Sequence, residues 1–245
     1  LDDHVLEGRV ALVTGVSRPA GIGYGLARRM RELGAEVFAT GWPPHDAEMP
    51  WGASHLPEID QRDLEDPEAP AALVDEVVQR HGALDIVLAV HARSSHVGLG
   101  AITVEELDRC WAANVRSVIL LAQRFAEVHD PERPGGRMLW FTSGQHQGPM
   151  PDQVGYAVTK GANHQMTATL AATLLRQGIV ANCLNPGPVD TGWATPEQHA
   201  EVAARFPSGR WNSPDDVADI VEYLVSDAGA RLAGQVIDFE AGFRL

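Results

Sequence analysis

The chain has 245 residues, with 24 Gly, 16 Pro and 44% hydrophobic residues, the composition of an ordinary soluble globular protein. At roughly 150 residues per domain this length allows one large domain or two small ones, and it can bury a core without disulfide or metal staples. Lys and Arg number 19 against 33 Asp and Glu, a formal net charge of −14 spread along the sequence. So acidic a surface argues against nucleic acid or an anionic membrane as partner, because binding phosphate needs clustered positive charge. Any anionic ligand must be met by local donors.

Cys110 and Cys183 stand outside any C-x-x-C spacing and read as small buried residues in a reducing compartment. The opening residues carry acid where a signal peptide needs basic charge, and no run reaches the roughly 18 apolar residues of a membrane helix. A cytoplasmic protein is expected. In chain order, a β-branched run at 9–15 is followed by helical spacing over 21–35, with Ile22, Leu26, Met30 and Leu33 on one face. Strands follow at 36–41 and near 55–60, then a helix at 67–82. The nearly continuous apolar stretch 84–92 reads as a strand covered on both faces. One long helix is predicted over 105–128, a strand over 136–143, and another long helix over 154–178 ending at Gly178. A strand at 179–189, a helix at 215–227 and a strand at 234–242 complete the pattern. Strands alternating with helices of this length mean βαβ units and a parallel sheet of about seven strands in one doubly wound α/β domain. Residues 41–58 and 191–214 read as long loops, the kind that cover ligands at a sheet edge.

Two segments suggest chemistry. Thr14-Gly15 and Gly21-Ile22-Gly23 lie between the first strand and its helix, where glycines admit a pyrophosphate and the helix N-terminus offers free N–H groups. The strict G-x-G-x-x-G pattern is absent, because position 26 is Leu. Tyr156 and Lys160, four apart, share one helix face. A phenol is a poor acid or base near neutrality, and a neighbouring ammonium lowers its pKa. Ser143 ends a predicted strand, on the side of an open α/β sheet where ligands bind.

Taken with Asn114 and Asn185-Pro186-Gly187, these residues resemble the successive signatures of the short-chain dehydrogenases/reductases, in order from about residue 8 to residue 242. The resemblance implies a single Rossmann-like domain that binds a nicotinamide dinucleotide, with a catalytic tetrad of Asn114, Ser143, Tyr156 and Lys160. It implies reversible hydride transfer between a carbonyl and an alcohol. Tyr156 would donate or accept the proton and Ser143 would hold the substrate oxygen. Lys160 would lower the Tyr156 pKa and hold the nicotinamide ribose, while Asn114 would anchor a relay water. Gly15, Ser17, Arg18, Gly21, Ile22 and Gly23 would cradle the dinucleotide, with Pro186, Gly187, Val189 and Thr191 beside the nicotinamide. The segment 191–214 corresponds to the family's substrate lid. The resemblance also implies a homotetramer with the helices at 105–128 and 154–178 in the subunit interface.

Three departures limit the transfer. The glycine turn has five residues between Gly15 and Gly21 rather than three, through Pro19 and Ala20. The family's Asn-Asn-Ala-Gly is here Ala89-Val90-His91-Ala92, which leaves His91 either a structural polar residue or a group near the cofactor. The C-terminal Gly-Gly is Ala241-Gly242. For the cofactor, the second strand ends Ala39-Thr40-Gly41-Trp42 with no acid until Asp46, and Arg18 lies in the glycine turn. An acid at that strand end would hold a ribose 2′-OH, whereas a guanidinium suits a 2′-phosphate, so NADP(H) is expected over NAD(H). Trp42 is expected to pack on the adenine, with Asp63 and Leu64 near its amino group. No histidine spacing supports a metal site. His146 is either a pocket residue or a solvated one. Trp193, Phe206 and Trp211 either meet an apolar substrate or pack the lid itself. The leading expectation is reduction of a ketone or 3-oxoacyl-type substrate. An oxidative alcohol dehydrogenase, a non-catalytic nucleotide-binding regulator and a halide-eliminating relative are the alternatives.

Overall fold

The computed structural model describes residues 5–54, 56, 59–133 and 135–244. Its centre is a parallel sheet of β1 (Val10–Thr14), β2 (Glu36–Gly41), β3 (Asp60–Gln61), β4 (Ile86–Ala89), β5 (Gly136–Phe141), β6 (Ile179–Asn185) and β7 (Val236–Asp238). The strand order is β3-β2-β1-β4-β5-β6-β7, which reverses direction between β1 and β4. Crossovers of this kind leave a crevice beyond the carboxyl ends of the strands at the reversal.

Alternation along the strands fills two cores. Ala11 and Val13 face one side with Leu26 and Met30 of α1 (Ile22–Glu32) and Val217 and Val221 of α8 (Pro214–Val225). Val10 and Leu12 face the other side, with Leu73 and Val77 of α3 (Ala69–His81) and Leu121 and Phe125 of α5 (Ser117–Val128). The arginines on the outer face of α1 close the rim against α8, Arg29 reaching Asp219 at 2.8 Å and Glu222 at 2.6 Å.

Four elements differ from the sequence-based expectation. The third strand shrinks to Asp60–Gln61, and residues 55, 57 and 58 of the expected run lie outside the described residues. The predicted helix over 105–128 is α4 (Val104–Trp111) and α5 joined by a π-helical turn at Ala112–Arg116. Such widened turns concentrate at functional sites, and Asn114 sits inside this one. Both expected loops contain a helix: α2 (Pro43–Ala47) and α7 (Pro196–Arg205). The second was signalled in the sequence. Thr195 and Gln198 form a reciprocal capping box around Pro196, the pattern that starts a helix. The remaining long helix, α6 (Val154–Leu174), runs on through a 3₁₀ turn to Gly178, whose φ of +76° ends it.

Leu26 is wholly buried between α1 and the sheet. Leu26→Ala is expected to lower unfolding stability by about 2–5 kcal/mol, read from urea denaturation.

Candidate active site

Three backbone approaches shape the crevice. Gly15 has φ +74°, and a Cβ there would lie 2.7 Å from the His91 nitrogen. A Cβ on Gly23 would fall 2.4 Å from the Gly15 carbonyl oxygen, and one on Gly41 would fall 2.5 Å from that of Val16. Only glycine lets the ends of β1, β2 and β4 close on the start of α1. That helix begins at Gly21 with no side-chain cap and no acid in its first turn. Its first N–H groups therefore remain available to an anion.

Above this floor lies a cavity of about 520 Å³. Every sequence-predicted site residue except Asn114 lines it: Gly15, Ser17, Arg18, Gly21, Ile22, Gly23, Trp42, Asp63, Leu64, His91, Ser143, Tyr156, Lys160, Pro186, Gly187, Val189 and Thr191. Asn114 lies behind the wall. Its Oδ1 accepts from the Arg93 N–H at 2.6 Å, and its Nδ2 donates to the Arg93 carbonyl at 3.1 Å and to Thr159 Oγ1 at 3.0 Å. With its polar side-chain atoms so engaged, Asn114 fixes the segment after β4 against α6.

The end of β5 is stitched to α6 by a further set of bonds. Thr142 Oγ1 donates to the Lys160 carbonyl at 2.7 Å, and Lys160 Nζ donates to the Phe141 carbonyl at 3.0 Å. Asn163 Nδ2 also donates to Phe141, at 3.3 Å, and Trp140 Nε1 donates to the Asn163 carbonyl at 3.1 Å. Ser143 thereby stands beside Tyr156 and Lys160. Burial pulls the Lys160 ammonium down to about 8, with the neighbouring Cys183 opposing slightly. The expectation that Lys160 holds the phenol's pKa down is corrected here. Burial pushes Tyr156 above its ordinary value, and a hydrogen bond with Ser143 only partly opposes it. The physical reason is that both groups are out of water and the ammonium is spent on the Phe141 carbonyl.

His91 takes the structural role. Its Nδ1 lies 2.6 Å from Thr14 Oγ1 and its Nε2 lies 2.7 Å from Ser117 Oγ. Ser117 already donates to the Ala113 carbonyl at 2.5 Å, so Nε2 carries the ring proton and Nδ1 accepts from Thr14. Both ring nitrogens are engaged within the protein, and no ring hydrogen bond is left for a cofactor. Burial, helped by Lys160, drives its pKa down to about 3.

Arg18 is not a free donor. Its Nη1 donates to the Thr191 carbonyl at 3.0 Å, its Nε lies 3.3 Å from Asp46, and its guanidinium covers the Trp51 ring at 4.7 Å. Trp51 Nε1 in turn donates to Asp46 at 2.9 Å. Short helix α2 brings this acid back to the cavity, a fold-back that the sequence reading left out. Sequence reasoning also missed Arg93, buried against Glu106 at 3.0 Å, Glu48 at 3.3 Å and Glu65 at 3.4 Å. Glu240, Phe243, Arg244 and Arg205 line the opposite end and were missed as well. No local pattern marks them, because they follow β7 and end α7. His146 stays outside the cavity lining and pairs with Asp238 at 3.2 Å. Phe206 and Trp211 pack with Phe243 in a small separate core, while Trp193 faces the cavity. Trp193 also packs edge-on against Trp211, with ring centroids 5.3 Å apart, so packing of the segment engages all three aromatics.

The family model described as enoyl-(acyl carrier protein) reductase matches residues 15–244. The chain belongs to the short-chain dehydrogenase/reductase family. An uncharacterized oxidoreductase of Bacillus subtilis, YjdA, is 32% identical over 96% of both chains. An NADPH-dependent aldehyde reductase-like protein of Arabidopsis thaliana is 30% identical over 97% of this chain and 95% of that one. A short chain dehydrogenase from Burkholderia cenocepacia, solved in complex with NADP, superposes with a TM-score of 0.84 at 29% identity, covering 98% and 99% of the two chains. As a short-chain dehydrogenase/reductase the protein is an oxidoreductase that works with a nicotinamide cofactor. The residues present fit that group, because the glycine cradle and the uncapped start of α1 leave room and donors for a pyrophosphate.

His91 is neutral in the folded protein and protonates in the unfolded chain below its ordinary value of about 6.5. Its depressed pKa therefore contributes stability that is present above pH ~6.5 and is lost as pH falls toward about 3. Denaturant titrations between pH 7.5 and 5 should show a shallower fall in stability for His91→Asn than for the parent chain. Equal slopes would contradict the buried neutral ring.

Proposed function

We propose that the protein catalyses the NADP(H)-dependent reduction of a ketone or 3-oxoacyl-type carbonyl, with Asn114, Ser143, Tyr156 and Lys160 as its catalytic set. One observation carries the reading: Ser143, Tyr156 and Lys160 converge on the wall of the same cavity whose floor is the glycine turn. The nicotinamide, when bound, supplies the hydride. Tyr156 gives its phenolic proton to the substrate oxygen, and Ser143 Oγ hydrogen-bonds that oxygen and fixes it. Lys160, already pulled down to about 8, passes protons close to neutral pH. Because the Asn114 side chain is engaged with Arg93 and Thr159, its share in a proton relay falls to its backbone carbonyl. Pro186, Gly187, Val189 and Thr191 bound the nicotinamide end, and residues 191–214 with α7 act as the lid. Trp42, Asp63 and Leu64 serve the adenine end.

Burial keeps Tyr156 protonated near neutral pH, the form that a proton donor to a carbonyl needs. Preference for NADP(H) rests on Arg18 in the glycine turn and on the absence of acid between Ala39 and Trp42. The Arabidopsis relative named for NADPH and the NADP complex of the Burkholderia protein support it. Asp46 and Trp51 hold the guanidinium in place for a 2′-phosphate. The buried, unpaired Cys110 and Cys183 fit a reducing cytoplasm. Exposed Trp111, Ile119 and Val158 on α4, α5 and α6 fit a homotetramer built on those helices.

Tyr156→Phe is expected to cut kcat by about 10²–10⁴-fold while NADPH still binds, as fluorescence titration would report. Retention of most of the kcat would overturn the role assigned to the phenol. Arg18→Ala is expected to raise KM for NADPH about tenfold or more, with much less change for NADH, in steady-state kinetics with both cofactors. Equal effects on the two would remove the 2′-phosphate assignment.

A further inference from the structure

The two ends of the cavity treat positive charge differently. At the glycine-turn end every arginine is neutralised. Arg18 pairs with Asp46 at 3.3 Å, Arg62 with Asp60 at 2.5 Å, and Arg93 with Glu106 at 3.0 Å. At the other end, beside the catalytic serine, two arginines face a single carboxylate. Arg205, the last residue of α7, makes no ion pair among the described residues, and its guanidinium lies 4.0 Å from the centroid of the Phe243 ring. Arg244 donates to the carbonyl of Gly144, the residue next to Ser143. Its nearest carboxylate is Glu240, 3.7 Å from Nε, and that carboxylate is already bonded to Asn185 Nδ2 at 2.9 Å. Arg244 Nε is buried with no hydrogen-bond partner. The Arg244 guanidinium also lies 5.7 Å from the Phe243 ring, so both guanidiniums are close to one phenyl ring.

Such an arrangement is improbable as packing alone. The chain has 33 acidic residues against 19 basic ones, so acids are in excess almost everywhere. Two arginines against one carboxylate in a partly closed cavity leave a local positive field, with the N–H donors of Arg205 unused among the described residues. Guanidinium N–H groups pair best with a carboxylate or phosphate, through charge-assisted hydrogen bonds. The Phe243 ring beside them supplies an apolar wall for the carbon skeleton. Arg244, held against the turn after Ser143, is close to where the carbonyl must lie. Arg205, carried on α7, approaches from the lid.

We propose that Arg205 and Arg244 form an anion subsite, and that the substrate is a carbonyl compound bearing an anionic oxygen group rather than a neutral ketone. This rests on the carbonyl-reductase reading above and adds the substrate class to it. The anionic group is either the carboxylate of an oxo acid or a phosphate on the carrier of an oxoacyl thioester.

The test uses the full chain saturated with NADPH. Turnover of 2-oxobutanoate, 3-oxobutanoate and 4-oxopentanoate is compared with that of their methyl esters and of butan-2-one. A 3-oxobutanoyl thioester of coenzyme A is compared with that of N-acetylcysteamine, which lacks phosphate. At least one anionic member should exceed its neutral partner about tenfold or more in kcat/KM, mainly through KM. The advantage should shrink with added salt. Arg205→Gln and Arg244→Gln should each reduce the ratio, whereas Arg244→Lys should keep part of it. An advantage confined to the coenzyme A ester assigns the subsite to phosphate, and one confined to an oxo acid assigns it to carboxylate. Neutral compounds preferred in every pair would overturn the subsite and leave the reductase reading standing. A second readout separates the opposite case. Tryptophan fluorescence of the NADP⁺ complex, with Trp193 facing the cavity, reports binding of the same anions without turnover. Anion binding that both Gln variants weaken, with no carbonyl reduced, would keep the subsite and overturn the reductase reading. Binding that neither variant weakens would sink the subsite.

Discussion

A lysine ammonium and a phenol are kept out of water at the carboxyl edge of the sheet, and the site is organised around that constraint. Lys160 is 3% exposed, and its ammonium donates to the Phe141 carbonyl at 3.0 Å. Burial without a carboxylate disfavours the charged form, which is why its pKa falls to about 8. The same burial raises that of Tyr156, so two groups with similar ordinary values are driven apart. Such a pair is stable only if the backbone around it cannot relax. The bonds from Thr142, Asn163 and Trp140 tie the end of β5 to α6 and remove that freedom.

Around this point the acidic chain distributes its few positive groups unevenly. Glutamates and aspartates neutralise Arg62 and Arg93 and orient Arg18, which makes the glycine-turn end a rigid frame. The C-terminal turn brings Glu240, Phe243 and Arg244 back over the Pro186–Gly187 bend, where a Cβ on Gly187 would meet Glu240 Cα at 2.9 Å. Ala241 takes φ +50° in that turn, a conformation that costs a non-glycine residue about 1–2 kcal/mol. Its neighbours Glu240 and Phe243 are buried, and their packing holds the turn in place.

Much of this was legible before the fold was known. Short apolar runs and helical spacing predicted the seven strands, because burial on both faces leaves β1 apolar almost throughout and α1 with one apolar face. The glycine turn, Ser143, Tyr156 and Lys160 were legible because their chemistry needs particular residue types at fixed spacing. The capping box at Thr195 was also present in the sequence, but a proline-rich stretch masked the short helix that it starts. Three things were hidden. The π-turn at Asn114 has no sequence period of its own. The direction of the Tyr156 pKa depends on burial against the placement of Lys160. The roles of His91 and Asp46 depend on partners many residues away.

The amino-acid sequence by itself determined the parallel α/β order, the glycine floor and the side chains proposed to react, because these follow from local spacing and residue chemistry. Only the tertiary structure decided which charges are cancelled and which are left over. Arg18 meets Asp46, Arg93 meets Glu106, and Arg244 reaches Gly144 across a hundred residues of chain. Electrostatic interaction depends on distance and on exposure to water, and neither is written in the order of the residues. Composition shows an excess of acid. The fold shows the end of the cavity where two arginines face a single carboxylate.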